Sequence, residues 1–224
     1  MFKNILIVIP LQAEYDNLHY GLSALGLDFH QDKIGKLDVH HFPALNVTLA
    51  RGGHGKTQFG IQTQHLLDHA RFDLVICAGA AGAMAPKVRI GDLIVVTTTV
   101  EHDFNNKFSK RPKPKFDGDV NSIAQLKSLK FPDADFKVHF GMMAGGDEDV
   151  IDVERGKELR DLHNAIAVAW EGVGGARACG FSDVPYLELR GATDTADHNA
   201  PIVFDVNLKI VMGNIARLLV KWLK

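Results

Sequence analysis

Three acidic residues follow apolar segments that are typical of buried strands. Glu14 comes after "NILIVI", Glu171 follows "AIAVAW" and Asp194 ends "PYLELRGATD". Because ligands of open α/β sheets collect at the carboxyl ends of the strands, we expect these three carboxyl groups to converge. Converging carboxyl groups can supply an acid, a base and a negative charge to one reaction. The pattern therefore predicts a site for acid and base chemistry.

The elements that would position these residues alternate along the chain. Apolar runs without alternation predict central, mostly parallel strands at 4–9, 47–52, 73–79, 92–100, 137–145, 165–170 and 185–194. Helical patterns lie at about 12–26, 56–70, 120–130, 154–163, 171–180 and 202–223. This alternation predicts a single domain, residues 1–224, with the layers of an α/β sandwich.

The last helical pattern has one broad apolar face. Pro201 stands near its start, where helices accept proline. The pattern predicts that this face packs on the sheet; its residues are Val203, Val206, Ile210, Ile215, Leu218, Leu219 and Trp222.

A glycine-rich stretch, "ARGGHGKT", resembles the phosphate-binding loop of ATPases. That loop needs a glycine five positions before its Gly-Lys-Thr, and Ala50 stands there instead. The stretch is therefore not such a loop, although its glycines allow close approach to a ligand. The small residues of "AGAAGAMAP", after the strand predicted at 73–79, indicate a second close-approach turn.

Composition narrows the class of protein. A net charge of −2 gives no general electrostatic reason to bind nucleic acid or a membrane. The apolar run before Pro10 is too short for a signal peptide, so a cytoplasmic protein is expected. Cys77 and Cys179 form neither a disulfide framework nor a metal site, and we interpret both as packing residues.

Together these motifs resemble the family of nucleoside phosphorylases and nucleosidases, and most closely the methylthioadenosine/S-adenosylhomocysteine nucleosidases. The resemblance runs through "NILIVIPLQAEYDNL", "GGHGKTQFG", "APKVRIGDLIVV", "EHDF", "GGDEDVIDV", "AWEGVGGA" and "GATDTAD". It implies a three-layer αβα sandwich around a mixed, partly closed central sheet. It also implies an oligomer, and a homodimer is expected.

The resemblance assigns a role to each acidic residue. Asp194 would protonate N7 of a purine, so that the base leaves as a neutral molecule. Glu14 would accept a proton from the attacking water. Glu171 would bind the ribose hydroxyls and stabilise the positive charge that develops on the sugar. This division suits a bond that breaks through an oxocarbenium-like state.

The resemblance also implies the kind of partner and a set of substrate contacts. The expected partner is a small purine nucleoside, with no metal and no cofactor. The predicted substrate-binding residues are His54, Gly79, Ala80, Asp149, Val150, Trp170 and Thr193.

The nucleophile can be water or phosphate, and the residues favour water. Phosphorolysis needs a site for a dianion, usually built from arginines and a hydroxyl group. No arginine directly precedes Gly79, and Ala80 stands where the relatives carry serine or threonine. Arg51 and Lys56 remain as possible anion ligands.

Four departures from the nucleosidase pattern bear on the substrate. Asp149 stands where an aromatic residue usually stacks on adenine, and Trp170 replaces a methionine. Ala169 replaces the first glutamate of a paired motif, and His54 replaces an apolar residue beside the 5′ group. They indicate a changed base contact and a more polar 5′ group. Methylthioadenosine or S-adenosylhomocysteine is the first expectation, and futalosine the second.

Other functions fit the sequence less well. "GVGGAR" has Arg177 where a dinucleotide-binding fingerprint needs its last glycine. His40 and His41 are adjacent and point to opposite faces of a strand, which does not chelate a metal. A non-catalytic relative would be expected to lack one of the three acidic residues. The basic segment 105–116 is expected to be an exposed, solvated loop. The alternative is that this loop borders a site for an anionic substrate group or covers a neighbouring subunit.

Overall fold

A computed structural model describes residues 2–109 and 111–224. The strands are β1 Ile5–Ile9, β2 His30–Ile34, β3 Leu37–Phe42, β4 Val47–Arg51, β5 Leu74–Ala83, β6 Leu93–Glu101, β7 Lys115–Asp117, β8 Val138–Gly145, β9 Ala165–Ala169 and β10 Tyr186–Asp194. The helices are α1 Gln12–Ala24, α2 Lys56–His69, α3 Val120–Ser128, α4 Val153–His163, α5 Gly172–Phe181 and α6 Ala200–Leu223. A short 3-10 turn, Pro43–Leu45, joins β3 to β4.

The strands form one mixed sheet that is partly closed. Its order is β10-β6-β8-β9-β5-β1-β4-β3-β2, and β10 also pairs with β5. This extra pairing closes β5, β9, β8, β6 and β10 into a ring. Within the described chain β1 runs parallel to β4 and β5, and β10 runs parallel to β5, whereas β10 and β6 are antiparallel. The mixed, partly closed sheet is as predicted.

Helices cover both faces of the sheet. Side chains of β1 alternate between two apolar clusters, with Ile5, Ile7 and Ile9 in one and Leu6 and Val8 in the other. The first cluster includes side chains of α1 and α6, and the second includes side chains of α2 and α5. This arrangement explains why the β1 segment is apolar throughout, since both of its faces are buried.

The structure corrects the predicted extent of one strand and adds a hairpin that was not predicted. β5 continues to Ala83, so the small residues after Gly79 belong to a strand and not to a turn. They are strand residues because β10 pairs along them and β9 joins at their end. The hairpin of β2 and β3 was not predicted, because β2 is polar and mostly exposed and carries no apolar pattern.

The predicted apolar face of the last helix is partly wrong. Val206 and Ile210 are 74% and 56% exposed. Leu208, Val211 and Met212 are buried in their place. With Ile202, which is 73% exposed, Val206 and Ile210 form an exposed apolar stripe on α6. The helix is therefore apolar on more than one side over its first half, and the sequence pattern alone cannot show which side packs.

The basic segment 105–116 is an irregular stretch that ends in β7, and Lys110 lies outside the described residues. Lys113 donates hydrogen bonds to the carbonyl groups of His102 (2.5 Å) and Phe104 (3.0 Å). Phe108 is fully exposed. None of the described helices combines the length and apolar character needed to cross a bilayer.

Helices α2 and α5 pack closely through glycines. A Cβ at Gly60 would lie 3.1 Å from the carbonyl oxygen of Gly174. A Cβ at Gly174 would overlap the carbonyl of Lys56 and lie 3.0 Å from the amide nitrogen of Gly60. Because these neighbours are backbone atoms, they cannot rotate away. The spacing of the two helices therefore depends on the missing side chains.

We predict that Gly174→Ala lowers the free energy of unfolding by about 1–3 kcal/mol, because the added methyl group forces the helix backbones apart. Gly180→Ala is the matched control, since it lies in the same helix with no atom within 4 Å of its Cβ. That control should be neutral or stabilising, as alanine is the better helix former. Urea denaturation measures both, and equal stability of the two variants would contradict the prediction.

Candidate active site

A cavity of about 380 Å³ opens at the carboxyl ends of β1, β9 and β10. All three predicted acidic residues line it, which brings together positions far apart in the sequence. The wall also contains Ala200, Pro201 and Phe204 at the start of α6, which were not predicted as substrate contacts. The lining residues are Pro10, Leu11, Glu14, His54, Ala80, Ala81, Gly82, Glu148, Asp149, Val150, Ile151, Val168, Ala169, Trp170, Glu171, Thr193, Asp194, Ala200, Pro201 and Phe204.

Glu14 lies in the first turn of α1, and two backbone amides hold its carboxylate. Its Oε1 accepts a 2.6 Å hydrogen bond from the Ala80 amide, and its Oε2 accepts one of 2.9 Å from the Leu11 amide. The side chain is buried. Burial, and next the charge of Glu171, raises the pKa of Glu14 from 4.5 to about 7, against these hydrogen bonds and the charge of Arg190. A group with this pKa can act as a general base near neutral pH.

Glu171 lies at the junction of β9 and α5, where it immediately precedes the helix. Its Oε1 lies 3.2 Å from His54 Nδ1 and accepts a 3.3 Å hydrogen bond from the Gly55 amide. Its Oε2 lies 3.8 Å from Arg190 Nη1. The carboxylate is therefore buried between the glycine loop and a cation.

Asp194 is aimed into the cavity by an irregularity at the end of β10. The pairing with β5 shifts register between Ala192 and Asp194, and such a bulge redirects a side chain. Oδ1 accepts a 2.9 Å hydrogen bond from the Ala196 amide, and Oδ2 accepts one of 2.9 Å from the Thr193 hydroxyl. Asp197 accepts instead from Thr195 and from the Asn199 amide, in the loop before α6.

Sequence reasoning missed a buried ion pair beneath the cavity. Arg190 is 1% exposed, and its Nε donates a 2.8 Å hydrogen bond to Glu188, which is also 1% exposed. Burial opposes the charge of Arg190, yet its anionic neighbours raise its pKa further above the ordinary value. The signal was available: Glu188 and Arg190 stand two apart on a strand, and therefore on one face, with Leu187 and Leu189 on the other.

Gly79 lies behind Glu14 and is not among the residues that line the cavity. A Cβ at this position would lie 2.7 Å from Glu14 Oε1 and 2.9 Å from Arg190 Nη1. The absence of a side chain therefore lets the carboxylate and the guanidinium approach each other. The other predicted substrate contacts, His54, Ala80, Asp149, Val150, Trp170 and Thr193, all line the cavity.

His54 and Trp170 form one side of the cavity as a stacked pair. Their ring centroids are 4.4 Å apart and their planes differ by 28°. Both residues also line a neighbouring groove of about 470 Å³, together with Gly55, Thr57, Gln58, Ile61, Gln62 and Asp147. We call this second depression the outer groove. The stacked pair therefore separates the cavity from the outer groove.

The two cations proposed as anion ligands do not line the cavity. Lys56 Nζ lies 2.6 Å from Asp103 and 3.0 Å from Glu101. Arg51 donates a 3.1 Å hydrogen bond to the side chain of Gln12. Arg177, from the dinucleotide-like "GVGGAR", pairs with Glu101. Among the described residues, no cluster of three or more His, Cys, Asp or Glu side chains is arranged to hold a metal ion.

The charge of the cavity wall is one-sided. Its acidic residues are Glu14, Glu148, Asp149, Glu171 and Asp194, and no described lysine or arginine lines it. Such a wall favours a ligand that carries or develops positive charge and presents hydroxyl or N–H donors. It disfavours an anion such as phosphate.

Comparison with known proteins identifies the class. Residues 5–224 match the family described as the phosphorylase superfamily, and the chain belongs to this superfamily. A 5′-methylthioadenosine/S-adenosylhomocysteine nucleosidase of Tolumonas auensis is 28% identical over 225 residues, which cover 97% of this chain and 94% of that protein. The namesake protein of Exiguobacterium is 28% identical over 78% of each chain. The resemblance described from the motifs is thus confirmed.

Solved structures share the fold. A mutant of the Helicobacter pylori nucleosidase MTAN, with 5′-methylthioadenosine in its active site, has a TM-score of 0.87 at 24% identity, covering 99% of this chain and 98% of that chain. A futalosine hydrolase of the same organism has a TM-score of 0.83 at 24% identity, covering 98% and 97%. The three-layer architecture is therefore shared with these two structures.

We predict that Glu14→Gln changes how stability depends on pH. Because the pKa of Glu14 is about 7 in the folded protein and 4.5 otherwise, the folded protein holds an extra proton between these values. This carboxyl group therefore destabilises wild type progressively as pH rises through that window. The stability of the variant relative to wild type should increase by about 3 kcal/mol from pH 4 to pH 8.

Urea denaturation across this pH range measures the difference. The exposed Glu154→Gln is the control, and it should leave the pH dependence of stability as in wild type. A constant difference between Glu14→Gln and wild type at every pH would contradict the prediction.

Proposed function

We propose that this protein hydrolyses the N-glycosidic bond of a 5′-modified purine ribonucleoside and releases the free base. The observation that carries the proposal is the meeting of Glu14, Glu171 and Asp194 in one cavity. Breaking this bond leaves positive charge on the sugar and negative charge on the base. The cavity offers one carboxyl group for the sugar, one for the leaving base and one for the attacking water.

Each carboxyl group is proposed to act at a different place. Asp194 protonates N7 of the purine, supported by its position at the cavity wall beside Thr193. Glu14, buried and with its pKa raised to about 7, accepts the proton of the attacking water. Glu171 binds the ribose hydroxyls and stabilises the oxocarbenium-like sugar by its buried negative charge. Bond cleavage is thus assisted at the base, the sugar and the nucleophile.

Water is the nucleophile in this proposal. A phosphate dianion needs free cations, and the cations near the site are already paired: Arg190 with Glu188 and Lys56 with Asp103. No described lysine or arginine lines the cavity, so a dianion would find no cationic partner in its wall. Ala80 also leaves the position without a hydroxyl donor.

The proposed substrate is methylthioadenosine or S-adenosylhomocysteine, supported by the names of the curated relatives. A larger polar 5′ group, as in futalosine, is the second candidate. It is supported by the polar side chain of His54, which stands at the wall shared between the cavity and the outer groove.

We also propose that the protein is a cytoplasmic homodimer. Support for the dimer comes from the family resemblance, from the exposed apolar stripe on α6, and from the full exposure of Phe108 in the basic segment. Sedimentation equilibrium measures the oligomeric state.

The reaction is tested by incubating the protein with methylthioadenosine, futalosine, adenosine and inosine, with and without phosphate. We expect free base and free ribose sugar, formed at a rate that phosphate does not change, from a 5′-modified substrate. Chromatography with mass detection identifies both products. Sugar 1-phosphate that forms only when phosphate is present would establish phosphorolysis and overturn the proposal.

We predict that Asp194→Asn lowers kcat for a purine nucleoside roughly 100-fold or more, because the amide cannot protonate the leaving base. The loss should be much smaller for a nitrophenyl riboside, whose leaving group needs no proton. Asp197→Asn is the matched control, three residues further along in the loop outside the cavity, and it should retain kcat within a few-fold. Equal losses for the two variants, or equal losses on both substrates, would reject Asp194 as the acid.

A further inference from the structure

A polar network fills part of the ring of strands beneath the cavity. Glu188 and Arg190 project from β10, and Thr99 projects from β6. The Thr99 hydroxyl donates a 2.6 Å hydrogen bond to Glu188 Oε2, while Glu188 Oε1 accepts from Arg190 Nε at 2.8 Å. All three side chains are buried. Neither Glu188 nor Thr99 lines the cavity, so the proposed reaction leaves both without a role.

We propose that Glu188 is a positioning residue that fixes the Arg190 guanidinium beside Glu14 and Glu171 and shares its charge, so that Glu14 remains a usable base. The proposal rests on the hydrolytic function inferred above. Glu188 acts only through Arg190, because it does not reach the cavity itself.

Geometry supports the positioning role. A guanidinium is planar, so a bond to Nε fixes the directions of both terminal nitrogens. With Nε held by Glu188, Nη1 donates to the Ala80 carbonyl at 3.2 Å and lies 3.8 Å from Glu171 Oε2. Nη2 donates to Cys77 Sγ at 3.3 Å. Each nitrogen of the fork thus has its own partner, and Nη1 is the nitrogen that lies beside Glu171.

Glu188 is itself held in place, which makes it a firm anchor. The Thr99 hydroxyl binds one carboxylate oxygen and Arg190 the other. A Cβ at Gly172 would overlap the Glu188 carboxylate, so the start of α5 leaves room for this side chain. An unpaired buried guanidinium would be strongly unfavourable, and Glu188 prevents this.

The charges around Glu14 support the second part of the proposal. Glu14 faces Glu171, which immediately precedes α5, and Arg190 from β10. It accepts hydrogen bonds from the amides of Ala80 on β5 and of Leu11. A full positive charge beside Glu14 would favour its ionised form and weaken it as a base. Glu188 pairs directly with the same guanidinium and offsets part of that charge. Cys77, also beside Arg190, is a buried thiol whose pKa burial raises, so it contributes no negative charge near neutral pH.

The test is Glu188→Gln, which keeps the size of the side chain and removes its charge. In protein labelled with ¹³C at the glutamate carboxyl, NMR follows the titration of Glu14, whose signal is assigned by its loss in Glu14→Gln. We expect the midpoint of this titration to fall by about one pH unit, since a neighbouring cation commonly lowers a carboxyl pKa by that amount or more. The acid limb of kcat/KM should move by the same amount. An unchanged midpoint in the folded variant overturns the proposal.

Glu188→Asp separates charge from reach. The carboxylate remains, so the Glu14 midpoint should stay near that of wild type, but the shorter side chain no longer fixes Arg190 Nε. We expect kcat to fall about tenfold with KM unchanged, as for loss of an interaction used in the transition state. Wild-type kcat in Glu188→Asp overturns the positioning role, and this variant tests it even if Glu188→Gln does not fold.

The titration needs no substrate, so it is independent of the proposed function. If the wild-type protein hydrolyses no purine nucleoside, the proposed function fails whatever the NMR midpoints show. If hydrolysis is observed and the midpoint does not move, the role of Glu188 fails alone. Glu158→Gln, an exposed change outside the cavity, is the control and should alter neither the midpoint nor kcat.

Discussion

The site depends on one buried guanidinium set among carboxylates. Burying Glu14 and Glu171 together would be costly. Each negative charge opposes the ionisation of the other, and burial opposes the ionisation of both. Arg190 lies against both and is itself neutralised from behind by Glu188. The backbone amides of Ala80 and Gly55 complete the hydrogen bonding of the two carboxylates. The cavity can therefore be acidic and buried without being electrostatically unstable.

The fold provides the space that this charge cluster requires. Closing the sheet through β10 and β5 makes a ring whose interior can hold polar side chains away from water. The long run of small residues in β5 leaves room inside it, and at Gly79 the carboxylate and the guanidinium occupy the place of a side chain. The small residues that resembled a turn in the sequence thus serve packing within a strand. Their role follows from the closure of the sheet and not from local flexibility.

The central strands, the alternation with helices and the three acidic residues could be read from the sequence, because burial on both faces leaves continuous apolar runs and parallel strands end at a common edge. The ring of strands could not be predicted from the sequence, since the pairing of β10 with β5 joins segments more than 100 residues apart. The polar hairpin of β2 and β3 carries no apolar signal. The charge pair Glu188 and Arg190 was visible as a spacing. Its partner carboxylates, however, come from α1 and from the residue before α5, and only the folded chain shows that contact.

Glu14 has a second attachment that links chemistry to the mechanics of the fold. Its Oε2 accepts the hydrogen bond of the Leu11 amide, so the proposed base also caps the amino-terminal end of α1. Each time this carboxylate takes up a proton it becomes a weaker acceptor, and the first turn of the helix loses part of its anchor. Each proton uptake during turnover would then weaken the first turn of α1 slightly, next to Pro10 and Leu11, which line the cavity. The protonation state of one side chain is thereby coupled to the stability of the helix end that borders the cavity.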